Sequence, residues 1–146
     1  MTRISSLHPR TRAWLLDGPL SPHVPAYISR LKRGRYAATT ARSCLAAVAH
    51  FAHWMSMCRM PVHVLDDDCV DFFLRVHLPC CDCPPPALRV ASDLHAALVA
   101  LLATLRHSRC TWSRRLSRLH RKLHHSTRKP HQRRRQTGTT EHVYHQ

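Results

Sequence analysis

The twenty residues from Ala38 to Met57 contain neither glycine nor proline, and their apolar members recur at helical spacing. Leu45, Val48, Ala49, Ala52 and Met55 make one stripe, which Phe51, Trp54 and Cys58 widen. A 3.6-residue period sustained over five turns cannot serve a pleated strand, so this segment fixes a long amphipathic helix. Any fold built on it must bring other helices to cover the stripe. Pro61 marks its stop. Arg42, Ala46, His50, His53 and Met57 fall on the opposite side and read as a solvated polar face. His50 and His53 stand three apart and could share a metal, but no carboxylate accompanies them.

Three further segments carry the same period. From about Ser92 to Arg106, Leu94, Ala97, Leu98, Leu101, Leu102 and Leu105 fit it without a break, with Ser92 as the expected cap. From about Ser21 to Arg33, Val24, Ile28 and Leu31 share one face; Ser21 and Pro22 suit the start and Gly34 the end. From about Asp66 to Val76, three aspartates favour the positive end of a helix dipole, and Val70, Phe73 and Leu74 face inward. No stretch alternates as a strand would. The expectation is an all-α, four-helix bundle over residues 21–107. Residues 1–20 form a loosely ordered arm from which Trp14, Leu15 and Leu16 can pack, and residues 108–146 form a basic tail.

The net charge of +15 is uneven. Residues 1–105 carry a net +4, whereas residues 106–146 hold twelve Lys+Arg against the lone Glu141, a net +11. Such a balance favours a polyanion, nucleic acid before anionic membrane. No apolar run approaches the roughly 18 residues of a membrane span, and the start lacks the apolar core of a signal peptide. A reducing cytoplasm is the expected compartment. Seven cysteines, an odd number, then read as free thiols rather than a disulfide framework.

Tyr36, Thr39, Thr40, Arg42, Leu45, Phe51, Trp54, Phe73 and Leu74, followed by His77-Leu78-Pro79 with Cys81 and Cys83, resemble the N-terminal core-binding domain of tyrosine recombinases, the phage-integrase family. The resemblance covers about the first 107 residues. It implies a SAM-like helical bundle that grips duplex DNA as half of a clamp, serves DNA integration or recombination in a mobile element, and pairs with full-length recombinase protomers. The family usually reads Gly-Tyr-Ser where this chain has Arg35-Tyr36-Ala37, and Ala37 cannot cap the following helix as Ser would.

The candidate DNA-binding residues are Lys32, Arg33, Arg35, Tyr36, Thr39, Thr40 and Arg42. Backbone N–H groups and hydroxyls at a helix start suit phosphate oxygens, and an Arg one turn in can reach a phosphate or a guanine edge. Ordinary capping and a solvated loop are the plainer reading of the same residues.

His77, Cys80, Cys81 and Cys83 lie within seven residues and are zinc's preferred ligand types. Their spacing is too tight for an easy tetrahedral site, and no second Cys pair completes a finger or ribbon. His63, Cys58, Cys69 or His95 would join only if the fold brought them near. In the recombinase subgroup the same pattern recurs, which implies a structural turn. The expectation is therefore a thiol-bearing turn with no stoichiometric zinc and no cofactor.

No catalytic residue is assigned. Recombinases cut DNA with a Tyr nucleophile and a set of Arg, Lys and His around one phosphate, in a separate domain. His131 and Arg134 match the family's His-x-x-Arg in letters only, and Tyr144 has no comparable setting. The chain thus looks like a truncated, non-enzymatic recombinase fragment. Its tail reads as disordered from Ser126, or as out-of-frame coding sequence. Trp112, Leu116, Leu119 and Leu123 nonetheless keep helical spacing within it. Two other readings stand beside this one: an independent small basic nucleic-acid-binding protein, with zinc as an optional stabiliser, and a membrane-active basic segment over residues 112–125.

Overall fold

The computed structural model describes residues 4–110 in full and residues 111–126 as helical backbone. Every regular element among them is helical. The chain divides into two compact units, Met1–Thr111 and Trp112–Gln146. The first is the bundle, built from α1 (Pro9–Leu16), α2 (Val24–Arg33), α3 (Ala38–Met57), α4 (Asp67–Phe72) and the start of α5 (Ala91–Ser126). Within the second unit the described part is the continuation of α5, and expectations placed on residues 127–146 lie outside the described residues. Among the described residues no helix is long and apolar enough to cross a membrane.

The bundle is organised round α3, whose residues 47–52 are all buried, together with Ala41, Leu45, Trp54 and Met55. Five of these ten buried positions are alanine or histidine, so neighbours sit near the α3 backbone on nearly every side. α5 contributes the whole expected row, Leu94 through Leu105, to the same core. α2 adds Val24, Leu31 and Tyr27, and the Tyr27 hydroxyl donates to the Ala97 carbonyl at 3.0 Å, tying α2 to α5. Burying that phenol without a partner would cost about 1–3 kcal/mol, so the bond also specifies how the two helices meet.

Four local expectations need correction. The first 20 residues are not a loose arm. Pro9 opens α1, the His8 ring accepts from the Arg10 N–H, Thr11 and Leu15 are buried, and Trp14 stacks on His53. At Gly18 a Cβ would lie 2.5 Å from the Trp14 carbonyl oxygen, so glycine lets the chain turn back beneath α1. Ser21 does not cap α2; Ser21–His23 form a 3-10 turn leading into it. α5 begins at Ala91, which places Ser92 inside the first turn, and it continues past Arg106 to Ser126. Residues 108–126 are helical, as the spacing of Trp112, Leu116, Leu119 and Leu123 allowed, and the disorder expected beyond them lies outside the described residues.

The third expected helix, about Asp66 to Val76, breaks into two pieces with a third turn just beyond it. Asp66 caps α4, its carboxylate accepting from the Cys69 N–H at 2.9 Å. After Phe72 the chain widens to a π-helical turn, Phe73–His77, then tightens to a 3-10 turn, Leu78–Cys80. A π turn seldom persists unless neighbouring packing holds it, and such turns gather at functional sites. Here it sets His77 against Phe73, ring centroids 5.2 Å apart and nearly parallel.

Candidate nucleic-acid interface and a buried histidine–cysteine cluster

α2 ends in two hydrogen bonds that wrap its last turn. The Tyr36 N–H reaches the Leu31 carbonyl at 3.3 Å, and the Arg35 N–H reaches Lys32 at 3.0 Å. This pair is the Schellman arrangement, whose turning residue must be left-handed. That residue is Arg35, at φ 52°, not Gly34, at φ −73°. The α3 end repeats it: Met60 N–H to Met55 at 2.9 Å, Arg59 N–H to Ser56 at 3.2 Å, with Arg59 at φ 51°. Both left-handed positions hold arginine, where a β-carbon is disfavoured by about 1–2 kcal/mol.

α3 then starts at Ala38 with Ala37 as its cap, and no side chain satisfies its first N–H groups. Lys32, Arg33, Arg35, Tyr36, Thr39, Thr40 and Arg42 are all exposed. Among the described residues, no carboxylate pairs with the four cations; the ion pairs there are Arg75–Asp71 and Arg106–Asp67. The seven residues do not converge on one cavity. Tyr36 stands between two clefts, one lined by Lys32 and Ala38 with the α2–α3 core, the other by Thr39, Thr40 and Ser43 with Asp93 of α5. Arg33 faces a third cleft, with Arg30 and His107. The cations and hydroxyls are exposed residues of consecutive segments, the end of α2, the connection and the start of α3, with the exposed Tyr36 ring among them.

The second constellation runs against the sequence pattern. His50, assigned to a solvated face, is fully buried. α1 and the residues after α4 cover the side of α3 that the four-helix reading left open. The signal was present in the sequence: Ala46, Ala47 and Ala49 around His50 mark a helix packed on all sides. The His50 Nδ1–H donates to the Leu88 carbonyl at 2.8 Å, which leaves Nε2 as the acceptor, 3.3 Å from Cys81 Sγ. His77 Nε2 lies 3.5 Å from Cys83 Sγ. The four ligand-type atoms of His50, His77, Cys81 and Cys83 all fall within 4.8 Å of one another. Cys81 and Cys83 are both buried.

Cys80 does not join them. It is exposed, and its thiol turns back to the Val76 carbonyl at 3.0 Å. The sequence grouping of His77, Cys80, Cys81 and Cys83 therefore exchanges Cys80 for His50, a residue 31 positions before Cys81. Arg89 holds the turn, donating to the Cys81 carbonyl at 2.7 Å and the Cys83 carbonyl at 3.1 Å. Burial dominates the protonation of the group. It lowers both imidazoles below their ordinary value, and it pushes the Cys83 thiol up to about 12, with the neighbouring Cys81 adding to the rise.

No protein-family model, curated protein or solved structure matches the chain.

Proposed function

We propose that the chain binds duplex DNA through the ridge formed by the end of α2, the Arg35–Ala37 connection and the first turn of α3, in the manner of a tyrosine-recombinase core-binding domain. The observation that carries this reading is the set of four exposed cations, none paired with a carboxylate among the described residues, beside an uncapped helix start with two exposed threonines. Uncapped N–H groups and hydroxyls donate to phosphate oxygens, and the cations supply counter-ion release. Asp93 lines the cleft beside Thr39 and Thr40, and its carboxylate disfavours deep entry of a phosphate there, so the threonine hydroxyls are expected to meet the backbone from the outer surface of the helix start. The helical bundle and the resemblance at Tyr36, Thr39, Thr40 and Arg42 support the same assignment.

Replacing Lys32, Arg33, Arg35 and Arg42 together with alanine should weaken duplex binding and flatten its salt dependence. The log–log slope should change by about one unit for each phosphate that the protein no longer neutralises. Fluorescence anisotropy across a salt series reads this directly, and an unchanged slope would refute the surface. A second reading rests on the net +11 of residues 106–146, which suits sequence-independent binding of DNA or RNA by that segment. If affinity survives the fourfold substitution but disappears when residues 112–146 are removed, this second reading is correct.

A further inference from the structure

We propose that His50, His77, Cys81 and Cys83 form a structural zinc site, ligated through Nε2 of each imidazole and Sγ of each cysteine. Two imidazoles and two thiols are a frequent ligand set for structural zinc, and no oxygen donor of the kind calcium or magnesium needs belongs to the group. Four protein ligands close the coordination sphere, so the site is structural rather than catalytic.

The geometry agrees. Zinc–ligand bonds of about 2.0–2.3 Å in a tetrahedron put neighbouring ligand atoms roughly 3.3–3.8 Å apart. The Cys81–His50 and Cys83–His77 pairs already stand at 3.3 and 3.5 Å, and the widest separation in the group is below 4.8 Å. Closing the remainder takes small side-chain rotations. Zinc would replace both sulfur–nitrogen hydrogen bonds with four bonds of its own.

The surroundings are those of a supported site. Metal-bound histidines commonly donate their other N–H to a carbonyl, which fixes the ring and its tautomer. His50 does this with Leu88. Arg89 fixes both cysteine carbonyls, and so the path of the turn between the two sulfurs. Phe73 packs edge-on to His50 and stacks on His77, and three of the four ligands are buried while His77 is half-buried. The ion's two positive charges would balance two thiolates, so the buried assembly carries no net charge. The charged and titratable groups nearest it are Asp82, Arg89 and His53. Each thiol gives up its proton to bind, so uptake releases protons and apparent affinity rises with pH.

The test uses the full chain, purified and kept reduced. Elemental analysis should find zinc, and chelation should lower the melting temperature. Histidines beyond residue 111 can hold zinc loosely without sulfur, so the decisive readout is cobalt(II) titration. Tetrahedral ligand-field bands with thiolate charge transfer, saturating at one equivalent, are expected. X-ray absorption on the zinc form should show two sulfur and two nitrogen neighbours. Cys81→Ser and Cys83→Ser should each abolish the cobalt signature, whereas Cys80→Ser, Cys58→Ser and Cys110→Ser should leave it intact. If the first two variants do not fold, the wild-type cobalt and absorption spectra decide alone. No thiolate charge transfer on titration, or a signature that disappears with Cys80, would overturn the proposal.

Discussion

At the residue scale, the least expected feature is the pair of left-handed arginines. Arg35 and Arg59 occupy the turning positions that glycine fills at lowest cost. Arg35→Gly and Arg59→Gly should each raise stability, by about 0.5–1 kcal/mol once glycine's greater unfolded-state freedom is subtracted. Denaturant melts check this. The two variants should then part company: Arg59→Gly leaves DNA affinity unchanged, while Arg35→Gly weakens it, because only Arg35 belongs to the proposed ridge. The sequence drew attention to Gly34 instead. Glycine is the usual marker of a helix end, but the hydrogen bonds place it one residue short of the left-handed position. Ala37 was legible, since no alanine can cap a helix, and α3 starts without a side-chain cap. His50 was misplaced on the solvated face, because a helical wheel drawn for four helices had no neighbour to put against it, although the alanines beside it carried the signal of a covered face.

At the scale of elements, legibility followed the strength of the apolar period. α3 and the first half of α5 hold long rows of leucine, valine and alanine, and both formed where the rows predict. α1 escaped because eight residues bury only Thr11 and Leu15 outright, too few for a periodic signal. Pro9 after a potential cap was its readable mark. If α1 is integral to the core, Leu15→Ala should cost about 2–5 kcal/mol, as truncation of a fully buried leucine does. A loss under about 1 kcal/mol in urea melts would return the segment to the status of an arm. The π turn after α4 was also invisible, because a helix that widens by part of a turn keeps nearly the same apolar order in sequence. Its effect lies in side-chain direction, and that is what brings His77 toward His50.

At the scale of the whole molecule, the bundle ends at Thr111 while most of the charge lies beyond it. A chain cut after Thr111 should melt as cooperatively as the full one, since every described core residue precedes the cut. It loses ten Lys+Arg and Glu141, so its non-specific affinity and salt slope should both fall. Circular dichroism and anisotropy test the two halves of this prediction separately, and loss of cooperative melting would show that the second unit completes the core. The buried cluster also says something about the order in which the bundle assembles. The His77–Cys83 pairing closes a loop of six residues and the His50–Cys81 pairing one of 31. By the logarithmic dependence of loop entropy on length, the longer closure costs about 1.5 kcal/mol more. The cysteine turn and its own histidine can therefore find each other while α3 is still unplaced. His50 is then expected to join last, and a φ-value near zero at His50 beside a higher one at His77 is the outcome that tests this order.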